Sequence, residues 1–171
     1  MNKQTGDKFV RLVEIMARLR RNCPWDAEQT PESLRQYIIE EAYEVVHAIE
    51  LGDLDELREE LGDLMLQVVF QSEIASERGQ FDVGDVIDTL CEKLVRRHPH
   101  VFGEVEVSGS GEVLKNWEQI KREEKQGSAR LESLPRMLPA LLRAARMISK
   151  CQRAHLDLAP EEEIRAELPD L

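Results

Sequence analysis

Two pairs of carboxylates carry the chemical signal of this sequence. Glu41 and Glu44 lie three residues apart, and so do Glu60 and Asp63. That spacing puts each pair on one face of a helix. Leu34, Tyr37, Ile38, Val45, Ala48 and Ile49 recur in steps of three and four, so positions 41 and 44 fall on or beside an apolar stripe. A core-facing helix normally carries Leu there. Asp63 repeats the anomaly within Leu61-Gly62-Asp63-Leu64-Met65-Leu66, with Glu60 one turn earlier. Buried ionised carboxylates are costly unless positive charge compensates them. Residues 32–64 hold 11 acidic groups against Arg35 and Arg58 alone. Hard divalent cations take oxygen ligands, and carboxylates with water suit Mg²⁺ or Mn²⁺. The pattern therefore calls for a metal held by Glu41, Glu44, Glu60 and Asp63. Glu50, Asp53, Asp55, Glu56 and Glu59 read as a solvated acidic face, with Glu40 at its border.

These groups need helices to position them. Phe9, Leu12, Val13, Met16 and Leu19 predict a first helix over about 7–21. Residues 22–30 read as a loop. Thr30 followed by Pro31 signals the start of a second helix, which Gly52 stops after Leu51. Asp53 is placed to cap a third helix running to about Arg78, and a fourth spans from about Asp82 to the residues before Pro99. Residues 99–111 read as a loop despite the β-like Val105-Glu106-Val107. Further helices are expected over about Glu112–Lys125 and Leu134–Leu156, then a short, frayed acidic tail. No strand set is present, so the expected class is all-α, a helical bundle around a carboxylate-bearing antiparallel helix pair.

The chain has 171 residues, a net charge of −11 and a pI near 4.9. That balance argues against binding nucleic acid polymers or anionic membranes. Cys23, Cys91 and Cys151 are an odd, widely spaced set without a C-x-x-C pair, which fits a reduced, cytoplasmic compartment. The first eight residues lack the apolar core of a signal peptide.

With these residues in hand, the chain resembles the MazG family of all-α nucleoside triphosphate pyrophosphohydrolases, over about Leu12–Leu156. The family signature, E-E-x-x-E followed by E-x-x-D, reads here as Glu40-Glu41-Ala42-Tyr43-Glu44 and Glu60-Leu61-Gly62-Asp63. Cys23-Pro24-Trp25-Asp26, Gln29-Thr30, the run Arg96 to Gly103, Asn116 to Lys121 and Leu138 to Leu141 are similar to family segments as well. Pro31 departs from the pattern, standing where many relatives have His. The resemblance implies a Mg²⁺-dependent enzyme (Mn²⁺ being the alternative ion) that splits NTPs or dNTPs into the monophosphate and pyrophosphate. It implies Glu41, Glu44, Glu60 and Asp63 as metal ligands and Glu40 beside Glu41 as a catalytic carboxylate that positions water. Lys93, Arg97 and Lys121 would contact the triphosphate, and Trp117 the nucleotide. The family's dimerisation implies a homodimer. No second signature follows residue 110, so one catalytic domain is expected over 1–157, with 158–171 as the tail.

Three other readings stay open. Within the superfamily, a narrower dUTP/dCTP or phosphoribosyl-ATP pyrophosphohydrolase would carry the same carboxylates. Glu44-Val45-Val46-His47 has the E-x-x-H form of di-iron bundles, but the chain holds no second such pair. A non-catalytic helical module would instead use the acidic hairpin to bind a basic partner, with its carboxylates on polar faces.

Overall fold

A computed structural model describes residues 3–124, 134–135 and 138–153, and the regular elements among them are all α-helices. The all-α expectation therefore holds. The chain divides into two compact units, residues 1–96 and 97–171.

The first unit contains α1 (Lys3–Asn22), α2 (Pro24–Glu28), α3 (Arg35–Leu51) and α4 (Leu54–Glu77). It also holds nearly all of α5 (Val83–Arg97). Local signals explain most boundaries. Gly52 ends α3 in the left-handed region (φ 71°), its N–H returning to the Ala48 and Ile49 carbonyls. Asp53 Oδ1 then accepts the N–H groups of Asp55 and Glu56 at 3.0 and 3.1 Å, which starts α4. Two residues thus turn the chain back on itself, and α3 packs along α4. Asp82 and Asp85 cap α5 reciprocally. Asp82 Oδ1 accepts from Gly84 and Asp85, while Asp85 Oδ2 accepts the Asp82 N–H.

Three expectations need correcting in this unit. The first helix starts earlier, at Lys3. The expected loop at 22–30 contains the one-turn helix α2, because Pro24 fixes the φ its first turn needs. Thr30 does cap, but it caps a turn. Its Oγ1 accepts the Ser33 N–H and Ser33 Oγ accepts the Thr30 N–H, closing residues 31–34 so that α3 begins at Arg35 rather than Pro31.

The core of the unit is Met16, Leu34, Val69, Phe70 and Ile74, with Leu12, Tyr37, Leu66 and Val83 among the side chains packed on it. It therefore sits at the C-terminal half of α4. A buried Arg20 guanidinium fastens this end. It donates to both Glu77 carboxylate oxygens (2.8 and 2.6 Å) and to the carbonyls of Asp26 and Gln29, and lies 5.7 Å from the Phe70 ring centroid. One side chain thereby joins α1, α2 and α4.

The second unit contains α6 (Pro99–Phe102), α7 (Ser110–Glu124) and α8 (Ala140–Arg153). The expected 99–111 loop is thus interrupted by α6, whose turn closes with the Gly103 N–H on the Pro99 carbonyl at 3.0 Å. Val105-Glu106-Val107 is a loop, as read. The last helix starts at Ala140 rather than Leu134. Pro139 bars the residue before it from the helical region, and its carbonyl accepts the first bond of α8 from Arg143 at 2.8 Å. Residues 154–156 of that expected helix, and the acidic tail 158–171, lie outside the described residues. Among the described residues no helix is long and apolar enough to cross a membrane.

Candidate metal centre

The hairpin connection sets the register of the seam between α3 and α4. With the turn fixed at Gly52-Asp53, position 41 comes opposite 63 and position 44 opposite 60. One carboxylate oxygen each from Glu41, Glu60 and Asp63 lie within 4.8 Å of one another. Glu44 stands at the edge of this triad, hydrogen-bonded to Glu41. Glu40 is exposed and outside the triad, as is His47 of the E-x-x-H reading.

The electrostatics are those of an uncompensated cluster. Burial, then the charges of Asp63, Glu44 and Glu60, hold the Glu41 carboxyl above the usual carboxylate range, and its hydrogen bond to Glu44 adds to the rise. Glu60 is raised as well, by loss of water first and then by Glu44, Asp63, Glu59 and Glu56. Arg58, the single basic residue of α4, pairs with the exposed Asp55 at 2.9 Å. The donor set is all oxygen and acidic, which fits a hard divalent cation.

One expectation is only half met. Glu41 and Glu60 are half-buried, whereas Glu44 and Asp63 are exposed in this chain. Two packed helices bury only the seam between them, so a group at its edge keeps solvent on one side. The cluster is therefore open, and the carboxylates are not enclosed among apolar neighbours as the stripe suggested.

The residues expected to contact substrate divide between the units. Lys93 is half-buried on α5 in the first unit. In the second, Arg97 bonds Glu124 through Nε (3.1 Å) and Nη2 (2.5 Å), and its guanidinium lies 5.5 Å from the Trp117 ring centroid. The His98 ring meets the same indole edge-on at 4.9 Å. Arg97 and Trp117 are thus brought together, while Lys121, one turn on, is exposed.

Sequence reasoning missed two features. The Arg20–Glu77 pair joins residues 57 apart, a separation that leaves no local signal. Gln67, on α4, is buried in the first unit. Its signal was present, as the lone polar residue in the run Leu64 to Phe70.

The chain is similar to known proteins. The family model of the MazG nucleotide pyrophosphohydrolase domain matches residues 29–102, a span that includes all four carboxylates. Over 177 residues the chain is 46% identical to the nucleoside triphosphate pyrophosphohydrolase/pyrophosphatase MazG of Thermotoga maritima, covering 99% of this chain and 68% of that protein. The chain belongs to the MazG family. It is also 48% identical, over 153 residues, to the nucleoside triphosphate pyrophosphohydrolase of Escherichia coli K12, covering 86% of this chain and 58% of that protein. The chain thus spans little more than half the length of that relative. A crystal structure of a mazG-related protein from Thermotoga maritima superposes with a TM-score of 0.57 at 32% identity, covering 66% of this chain and 97% of the other.

Proposed function

We propose that the protein is a metal-dependent nucleoside triphosphate pyrophosphohydrolase, adding water across the α–β anhydride of NTPs or dNTPs, modified nucleotides included, to give the monophosphate and pyrophosphate. The observation that carries this reading is the triad of Glu41, Glu60 and Asp63 with Glu44 at its rim, in a MazG-family chain.

Glu41, Glu44, Glu60 and Asp63 would hold Mg²⁺ or Mn²⁺. When bound, the ion neutralises phosphate oxygens and lowers the pKa of coordinated water. The chain's own residues do the rest. Glu41, and Glu40 from the solvent side, orient the attacking water and take its proton. Lys93, Arg97 and Lys121 bind the polyphosphate, with Glu124 holding the Arg97 fork in one orientation. Trp117, already fixed by Arg97 and His98, offers a flat surface to the nucleoside. Phosphoryl transfer depends mostly on positioning and charge, and these groups supply both.

The test is a substrate panel. Purified protein incubated with NTPs and dNTPs should release pyrophosphate and monophosphate only when Mg²⁺ or Mn²⁺ is present. Orthophosphate as the product, or turnover in the presence of a chelator, contradicts the reading. The same panel separates a broad enzyme from one confined to dUTP, dCTP or phosphoribosyl-ATP.

The proposal includes a homodimer in the cytoplasm. Leu54, Leu61, Met65 and Val68 leave an exposed apolar stripe along α4, and Ile39, Tyr43 and Val46 do the same on α3. Such a contiguous patch suits a protein partner, and a second copy laid on it would close the open edge at Glu44 and Asp63. Leu61→Asp should convert the dimer to monomer in light scattering. A wild-type chain that is monomeric at micromolar concentration contradicts this part.

A further inference from the structure

Gln67 is 7% exposed, and its Oε1 has no hydrogen-bond partner. A buried polar atom left unpaired is destabilising, and folded proteins rarely keep one without a use. Its position suggests the use. Gln67 lies four residues after Asp63 and seven after Glu60, on the same face of α4. Helical side chains lean toward the N-terminus of their helix, so Gln67 covers the turn that carries Asp63. It is the one polar residue between Leu64 and Phe70, at the border between the carboxylate triad and the core.

The surroundings decide what can satisfy it. Ionised carboxylates accept hydrogen bonds and donate none, and the amide oxygen is a further acceptor. Asp63, once ionised, and Gln67 Oε1, one helical turn apart on α4, therefore present acceptors only. A free water there would have to leave its own lone pairs unused. A water in the shell of a divalent cation has its lone pair on the ion and presents only donors, and small hard cations retain several such waters.

We infer that Gln67 is a positioning residue of the centre, its Oε1 accepting the hydrogen bond of a water in the coordination shell of the cation held by Glu41, Glu60 and Asp63. The inference rests on the cation reading above and deepens it. Gln67 does not touch the cation; it fixes a water that does, and through it the orientation of the shell. Such outer partners change metal affinity by roughly 10–100-fold when removed.

The experiment is a calorimetric titration of the full chain with Mn²⁺ alone, without nucleotide, for wild type, Asp63→Asn, Gln67→Met and Gln67→Glu. Helical content and melting temperature are recorded beside each. Wild type should bind saturably and Asp63→Asn should not. Gln67→Met, which keeps the volume and removes the orphan oxygen, should fold and melt at or above the wild-type temperature while its Mn²⁺ dissociation constant rises by roughly 10–100-fold. Gln67→Glu, which restores an acceptor oxygen, should bind at least as tightly as wild type, an outcome a packing role would not produce. If Gln67→Met binds within twofold of wild type while Asp63→Asn does not bind, the role given to Gln67 is wrong and the centre stands. If wild type does not bind, or Asp63→Asn binds normally, the centre itself is wrong and this inference falls with it. Should Gln67→Met fail to fold, Gln67→Glu decides alone: equal or tighter binding supports the role, weaker binding overturns it.

Discussion

Glu77 and Glu41 are both glutamates on helices of the first unit, and their environments act on them in opposite directions. At Glu77 the chain supplies the counter-charge. Arg20 donates two hydrogen bonds to its carboxylate, which is held below the usual carboxylate range. At Glu41 the neighbouring charges are carboxylates, and burial and repulsion push it above that range. The chain builds a buried arginine clasp at one end of α4, whereas toward the other end the charges acting on Glu41 and Glu60 are those of carboxylates. The difference separates charge used for structure from charge prepared for a ligand. The Arg20–Glu77 end is complete as folded, whereas in the proposed reading the Glu41–Asp63 end takes its counter-charge from outside.

The largest effect is expected at Asp63. Asp63→Asn removes one proposed ligand and one repulsive charge, and leaves the clasp untouched. Pyrophosphate release should fall by more than the roughly 10–100-fold typical of an outer-shell change, with helical circular dichroism unchanged. An active Asp63→Asn enzyme would place the chemistry elsewhere.

Glu77→Ala should have the converse profile. It leaves the buried Arg20 donors short of their charged partner, which costs about 1.5–3 kcal/mol for hydrogen bonds to charged groups. Denaturant titration should show that loss, while Mn²⁺ affinity of the folded protein stays within about twofold of wild type. A large change in metal affinity would mean that the two ends are not independent.

The smallest effect is the pH dependence of the metal-free protein. Glu41 and Glu60 have folded pKa values above their unfolded ones. Between the usual carboxylate range and those raised values the folded chain binds more protons than the unfolded chain, so stability contributed by these groups declines as pH rises through that window. Glu77 has the opposite sign. Its contribution is complete above the usual range and is lost as pH falls through its lowered value. Metal-free melting temperatures should therefore decline from mildly acidic toward neutral pH, and Asp63→Asn should flatten that decline. A wild-type profile that rises through the same interval contradicts the signs assigned to the cluster.

How far the sequence foretold this depends on the range of each interaction. Gly52, Asp53 and Asp82 act on residues two to four positions away, so the hairpin and the start of α5 were legible. So were the carboxylate pairs, because spacing by three is a property of one helix and the short turn then fixes the register across two. Openness was not legible: the stripe placed Glu44 and Asp63 inward, but how much water reaches them depends on what lies over the hairpin. The start of α8 differs from the expected Leu134 because that span runs through Pro139, which bars Leu138 from helix. Arg20 finds Glu77 only through the crossing of α1 and α4, which no periodicity encodes.

In the proposed centre an outside cation offsets the charge of the α3–α4 carboxylates, which no basic group among the described residues relieves at Glu41 or Glu60. Thermal melting of wild type and Asp63→Asn at neutral pH, each with a chelator and with excess Mg²⁺, tests it most directly. With the chelator, Asp63→Asn should melt higher than wild type, because one repulsive charge is gone. With Mg²⁺ the order should reverse, since bound ligand stabilises only a chain that holds it. A wild-type melting temperature that Mg²⁺ leaves unchanged, or an Asp63→Asn chain that gains as much from Mg²⁺ as wild type does, contradicts the claim.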